Sequence, residues 1–417
     1  LTLGRRGRML VAAEAKASLV VLGPSQSGKT TGLAIPAILE WQGPVVATSV
    51  KSDLVHDTLA ARSMSGPAWV YDPSGATGRP SAGWSPLASC GSWQGARRTA
   101  AWLCGAARGG NGAGVSDEDF WYAAAAKLLA PYLLGAALAG NDMSQVVRWI
   151  DTQDEEGVAA ALDRAGELDA LNAAAASWQR DDRTRSSVFT TAEMVLEAYA
   201  DPLILRSAMR SDVDPVRLLA GGAPTLYVCA PGHEQERLRP VFATLLQTVL
   251  TAAYDAALAR GGSLEPPLLI VLDEAANIAP LRDLDTIAST AAGHGIQLVT
   301  VWQDLAQLRA RYGERASTVV NNHRAKLVLS GISDPATLEY ASRLIGDGDV
   351  AEDSLTIDPS GARSTTRSRR PQRLAPDAEL RRIRPGEGVL VYGHLPPARI
   401  RLRPWFAEPA WRAAARR

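Results

Sequence analysis

Near the start of the chain, Val20-Val21-Leu22-Gly23-Pro24-Ser25-Gln26-Ser27-Gly28-Lys29-Thr30-Thr31 joins an apolar run to a glycine-bounded loop and a Lys-Thr pair. Gly23 and Gly28-Lys29-Thr30 fit G-x-x-x-x-G-K-[ST], a spacing whose chemistry is phosphate binding. The loop from Gly23 through Pro24, Ser25, Gln26, Ser27 and Gly28 can wrap its backbone N–H groups around phosphate oxygens. Lys29 adds a positive charge at the β- and γ-phosphates, and the Thr30 hydroxyl can ligate Mg²⁺. The spacing predicts a strand over 19–22 and a helix from Thr31, whose positive N-terminal end faces the same anion. Both flanking elements are the context the pattern requires.

A phosphate loop needs carboxylates, and the chain carries them far downstream. Pro266-Pro267-Leu268-Leu269-Ile270-Val271-Leu272-Asp273-Glu274 is a continuous apolar run ending in two carboxylates, as expected for a strand buried on both faces of a parallel sheet. There Asp273 would hold the metal and Glu274 would polarise the attacking water. A further apolar strand, 296–302, ends in Gln303, whose amide could hydrogen-bond the γ-phosphate or that water. Together these residues describe an ATP- and Mg²⁺-dependent NTPase core.

Those residues must be positioned by alternating strands and helices. Strands are expected at 19–22, 44–48, 68–71, 225–230, within the 266–274 run, and at 296–302, 326–329 and, last, 389–392. Helices are expected at 31–41, from Ser52 or Asp53, at 236–260, 281–292, 305–312 and 335–344. This is a doubly wound α/β pattern. From about Ser92 to Pro202 the pattern changes to alanine-rich helical segments, which predicts an all-α domain inserted in the α/β core. The expected division is 1–91 and 203–417 for the nucleotide-binding domain and 92–202 for the insertion. Cationic and aromatic residues of the insertion (Trp121, Arg148, Trp149, Trp178, Arg180, Arg183, Arg185) could contact DNA or protein, and the favoured expectation for each is that the tryptophans are core and the arginines a solvated face. Residues 363–384, with eight arginines, are expected to form a mobile loop that can contact DNA phosphates.

Composition narrows the class further. The 417 residues contain 46% hydrophobic side chains, ample for a core, and 44 basic residues balance 44 acidic ones. Bulk charge therefore predicts no acidic partner. Three cysteines lack metal-type spacing and, being odd in number, suit a reducing compartment. No run of roughly 18–20 apolar residues is present, and 128–139, broken by Pro131 and Gly135, reads as a buried helix segment. The chain is expected to be soluble, with any membrane anchor upstream of Leu1.

The chain resembles the conjugative coupling proteins of type IV secretion systems, the TraG/TraD type within the FtsK/HerA-like ring ATPases. The resemblance covers nearly its whole length. It is carried by the phosphate loop, Lys51-Ser52-Asp53-Leu54, Asp72-Pro73, Trp84-Ser85-Pro86-Leu87 and the all-α insertion. Further matches are Leu272-Asp273-Glu274, Gly295-Ile296, Gln303-Asp304-Leu305-Ala306-Gln307-Leu308, Asn322 and Ser333-Asp334-Pro335 through Gly346. It implies a RecA/FtsK-like fold, a hexamer when assembled, with a monomer allowed for this fragment. The implied place is the cytoplasmic face of the bacterial inner membrane. The implied partners are single-stranded DNA, a relaxase or secreted protein, and secretion-channel subunits. Relatives tend to carry an arginine before the Gly-aromatic-Gly-Ile turn that serves the neighbouring subunit's nucleotide. Here Ala292 stands in that place, leaving Arg324 and Arg282 as candidates for the trans arginine.

Overall fold

The computed structural model describes residues 1–108, 117–277, 281–357 and 363–415. The strands are β1 (Thr2–Arg6), β2 (Met9–Ala12), β3 (Leu19–Leu22), β4 (Val45–Ser49), β5 (Ala68–Tyr71), β6 (Thr225–Cys229) and β7 (Leu268–Leu272). They continue with β8 (Ile296–Trp302), β9 (Ala325–Leu329), β10 (Asp347–Ile357), β11 (Arg363–Arg373), β12 (Glu387–Tyr392) and β13 (Ala398–Arg401). Eleven of them form one sheet in the order β2-β1-β13-β12-β9-β3-β8-β7-β4-β6-β5. From β9 to β5 neighbouring strands are parallel, and β12, β13, β1 and β2 add an antiparallel edge.

Strands β3, β4, β6, β7 and β8 are buried at every position, which is why β3 and β7 read as continuous apolar runs and the others as mostly apolar rather than alternating sequences. One face of the sheet carries the phosphate-loop helix and the helix Asp53–Ser65. The other carries the helix Gln235–Ala259 and the helices that separate β5 from β6 in the chain, beginning with Trp93–Ala107 and Asp117–Leu138. The buried side chains of these helices are continuous with that sheet face, from Val46 and Phe242 out to Val158. Trp149 is 4% exposed and the Trp178 Nε1 donates to Tyr132 Oη at 3.1 Å, so both tryptophans are packing residues, whereas Arg148 and Arg183 are exposed. The helices Glu118–Leu138 and Gln235–Ala259 are long and apolar enough to cross a membrane by length and composition, and 61% of each apolar window is buried inside the fold.

Arg62, which the sequence reading passed over, is 2% exposed and ties the helix Asp53–Ser65 to the sheet. Its guanidinium donates to the carbonyls of Trp41, Gly43 and Ala223 and to Thr225 Oγ1. These acceptors lie at the N-terminal ends of β4 and β6, where strand entry would otherwise leave carbonyls buried without donors.

Three expectations are corrected. The arginine-rich stretch 363–384 is not a loop throughout: β11 pairs antiparallel with β10 in full register from Asp347↔Arg373 to Ile357↔Arg363, and Asp377–Arg381 is helical. The sequence of 363–373 carries no apolar alternation to mark a strand, and β10 and β11 pair as a two-stranded sheet separate from the main one. Val389–Tyr392 is not the last strand, because β13 returns beside β12, and β1 and β2, also unforeseen, complete the antiparallel edge. β2 and β13 are four residues each, and β1 is five residues with a register shift between Thr2 and Gly4, too short for a clear alternation to mark them. The segment 281–292 is helical only over Leu284–Thr290, followed by a 3-10 turn to His294.

Candidate active site

Strand order places β3, β8 and β7 side by side, so their C-terminal tips converge. Gly23 leaves β3 with its N–H bonded to the Trp302 carbonyl at the tip of β8, at 3.0 Å. The loop then closes on itself. Gly28 has φ +87°, a left-handed conformation that L side chains rarely adopt. A Cβ on Gly23 would meet Ser27 Oγ at 2.7 Å. Gln26, at φ +67°, takes a similarly unusual conformation with no glycine to ease it. Ser27 is buried and its hydroxyl has no partner among the described residues.

Lys29 and Thr30 open the helix that follows. Its first turn, Thr30–Ala34, is a π-turn before regular helix resumes at Ile35–Glu40. Pro36 explains the irregularity, since it has no N–H for the Gly32 carbonyl. That carbonyl instead accepts from the backbone N–H of Arg403, at 3.3 Å, and Leu402 packs against Gly28 and Gly32. The C-terminal segment thus braces the phosphate loop from behind.

The carboxylates arrive from β7. Thr30 Oγ1 donates to Asp273 Oδ2 at 2.9 Å, and Lys29 Nζ lies 3.3 Å from Glu274 Oε1 while donating to the Gly23 carbonyl at 3.2 Å. Asp273 is 4% exposed. Burial, reinforced by the neighbouring Glu274 charge, outweighs the Thr30 hydrogen bond and pushes its carboxyl up to about 6. Asp273 Oδ1 and Glu274 Oε2 are buried without hydrogen-bond partners. Glu274 has φ +57°, an unfavourable conformation for a non-glycine residue, costing on the order of 1–3 kcal/mol. The structure holds it there through the Ala275 N–H, which bonds the Val301 carbonyl of β8 at 3.2 Å.

Gln303 leaves the tip of β8 half-buried, between the phosphate loop and the acidic pair in strand order. Its backbone N–H donates to Gln307 Oε1 at 2.9 Å, and Asp304 caps the next helix through the Gln307 N–H. The Leu305 N–H bonds Thr337 Oγ1, which Asp334 also holds. The Gln303–Leu308 and Ser333–Pro335 motifs therefore form one brace behind Gln303. Asp72 accepts from Ser74 Oγ and the Thr77 N–H, and Trp84 packs edge-on against Tyr71, so the Asp72-Pro73 and Trp84 motifs organise the exit from β5.

The two candidate trans arginines lie elsewhere. Arg324, at the entrance to β9, pairs with Glu14 at 3.4 Å and stacks on Tyr392. Arg282 is exposed beside Gly105 of the helix Trp93–Ala107. Ala292 is half-buried in the 3-10 turn.

The residues present fit a magnesium–nucleotide complex. Among the described residues no three His, Cys, Asp or Glu side chains cluster as a metal site. Mg²⁺ needs no such cluster, since it binds through one or two protein oxygens with phosphate and water completing its shell. Thr30 Oγ1 and the unpartnered oxygen of Asp273 are the oxygens that would serve.

Compared with protein-family profiles, residues 2–416 match the family described as type IV secretory system conjugative DNA transfer. The chain belongs to this family. It is 25% identical over 377 residues to a conjugal transfer protein TraG of Escherichia coli, covering 83% of this chain and 57% of the relative. A probable TraG of Sinorhizobium fredii is 25% identical over 421 residues, covering 94% and 63%. The chain thus spans about three-fifths of the length of these relatives. Among solved structures it shares the fold of the bacterial conjugative coupling protein TrwB, with a TM-score of 0.72 at 19% identity over 93% of this chain and 85% of that one. TrwB has also been solved in complex with ADP and Mg²⁺, and that structure superposes with a TM-score of 0.71. The fold is that of an α/β P-loop NTPase with a mostly parallel sheet and a layer of added helices.

Proposed function

We propose that the chain is the ATP-hydrolysing part of a coupling protein that passes DNA, or protein bound to it, to a type IV secretion channel. The observation that carries the reading is the meeting of Lys29 and Thr30 with Glu274 and Asp273 across β3 and β7. Family membership supports the cargo, and TrwB's binding of ADP and Mg²⁺ supports the nucleotide.

Each residue has a role set by its place. Backbone N–H groups of residues 24–29 hold the phosphates, and Lys29 exchanges its contact with Glu274 for phosphate oxygen. Thr30 and Asp273 would hold Mg²⁺, which when bound neutralises charge on the phosphates. Glu274, freed of Lys29, orients and polarises the attacking water, and Gln303 hydrogen-bonds the γ-phosphate or that water. In the assembled form, a hexamer, an arginine of the neighbouring subunit completes the site. Residues 92–202 form the inserted all-α domain, suited to contact cargo or channel subunits. Its working place is the cytoplasmic face of the inner membrane.

The test is ATP hydrolysis by the purified chain with and without single-stranded DNA. Turnover stimulated by DNA and abolished by Glu274→Gln is expected. Cargo binding with negligible hydrolysis under all conditions would instead make the chain a docking receptor that uses ATP for assembly only.

A further inference from the structure

Arginines without counter-charges meet on the sheet face opposite the phosphate-loop helix, where the helix Gln235–Ala259 packs. Gln235, Arg239, Ala243 and Gln247 follow one another at every fourth residue and so form one ridge along it. Ala243 and Gln247 border a cleft of about 210 Å³ together with Leu281 and Arg282. The Leu281 carbonyl accepts from Tyr312 Oη at 2.9 Å, which draws the end of the helix Leu305–Tyr312, with Arg311, toward the same ridge. Arg311 and Arg239 lie close enough to feel each other's charge. Burial first, and then Arg239, holds the Arg311 guanidinium below its ordinary value.

The donors gathered here lack acceptors. Gln235 is 5% exposed, and its Nε2 and the Nε of Arg239 are both buried without a hydrogen-bond partner. Among the described residues neither Arg239 nor Arg311 has an ion-pair partner. The carboxylates beside Tyr312, Asp283 and Asp285, are engaged by Arg315. Orphan donors and two like charges in a half-buried place are destabilising unless an anion joins them. Both guanidinium groups are only half-buried, so a ligand can reach them from solvent. Two positive charges at one point call for two negative ones. A phosphate dianion carries both and offers the oxygens that guanidinium forks match. A carboxylate or an internal phosphodiester carries only one.

We propose that Gln235, Arg239 and Arg311 form a second anion site, separate from the phosphate loop, for a phosphate dianion. The dianion is either free phosphate or the terminal phosphate of a phosphorylated molecule. The proposal does not depend on nucleotide hydrolysis. The experiment is calorimetric titration of the purified chain, and of its Lys29→Ala variant, with inorganic phosphate at constant ionic strength. The phosphate loop would hold this ion too, so two binding events are expected in the parent and one in Lys29→Ala. Arg239→Met or Arg311→Met, in either background, should weaken the second event about tenfold or more, since each removes a charged donor. In chloride alone the same replacements should leave the melting temperature unchanged or raised, because they relieve the repulsion. A 5′-phosphorylated oligonucleotide that displaces the bound ion would identify a terminal phosphate as the ligand, and its failure would identify the free ion. Equal displacement by the unphosphorylated oligonucleotide would overturn the proposal. So would a single binding event in the parent, affinity indifferent to both arginine replacements, or a melting temperature lowered by either in chloride.

Discussion

Lys29 Nζ and Glu274 Oε1 face each other at 3.3 Å, the cation proposed to receive phosphate against the carboxylate proposed to direct water. Without nucleotide each is the other's counter-charge, so binding must separate them. Glu274→Gln removes a negative charge from the place where phosphate oxygens arrive. It should bind ATP at least as tightly as the unaltered protein while turnover falls by about 10²–10⁴. Lys29→Ala should lose both binding and hydrolysis. Titration with a fluorescent nucleotide, alongside phosphate release, separates the two effects. Ordinary turnover in either variant would remove that residue from the site.

Asp273 gives a pH dependence with a definite sign. Its carboxyl is pushed up to about 6, chiefly by burial, above the usual carboxylate value. The folded state then binds the proton more tightly than the unfolded state. This group's contribution to stability is greatest below pH 4, declines as pH rises to about 6, and stays low above that. Asp273→Asn, which keeps the shape without the charge, should raise the melting temperature at pH 7.5 by about 2 °C and not at pH 4. The same variant should lose magnesium-dependent nucleotide binding. A variant less stable than the parent at pH 7.5 would contradict the burial argument.

Arg62 is the structural counterpart. Arg62→Met keeps the side chain's length and strands the carbonyls of Gly43 and Ala223 in the interior. A loss of about 3–5 kcal/mol in chemical denaturation is expected, since several buried acceptors lose their donors together. A loss under 1 kcal/mol would mean that water replaces the guanidinium.

Assembly should limit turnover. Ala292 supplies no cation, and of the two exposed candidates Arg324 pairs with Glu14 and stacks on Tyr392, which leaves Arg282 as the one without an ion-pair partner among the described residues. Specific activity should rise with protein concentration across a hundredfold dilution series followed by light scattering. Arginines acting in trans contribute on the order of 10³–10⁵ in rate, so Arg282→Ala should flatten that rise. Fast turnover by a monomer, independent of concentration, would sink both expectations.

The phosphate loop, Asp273 and Glu274 were legible in the sequence because their chemistry needs fixed residue types at fixed spacing beside buried strands. The parallel strands were legible for a related reason: burial on both faces leaves an unbroken apolar run, as in Leu268–Leu272. Other features depended on partners far away in the chain. Arg62 looks like any helix arginine until Trp41, Gly43 and Ala223 converge on it. The π-turn after Thr30 needs Arg403 to take up the carbonyl that Pro36 leaves free. Strands β1, β2 and β13 are only four or five residues long and β2 buries no position, so only their register with one another and with β12 reveals a sheet. Local spacing determined the chemistry of this protein. Which distant side chains neutralise, brace and extend that chemistry was decided by tertiary structure, because hydrogen bonds and burial are set by proximity in space.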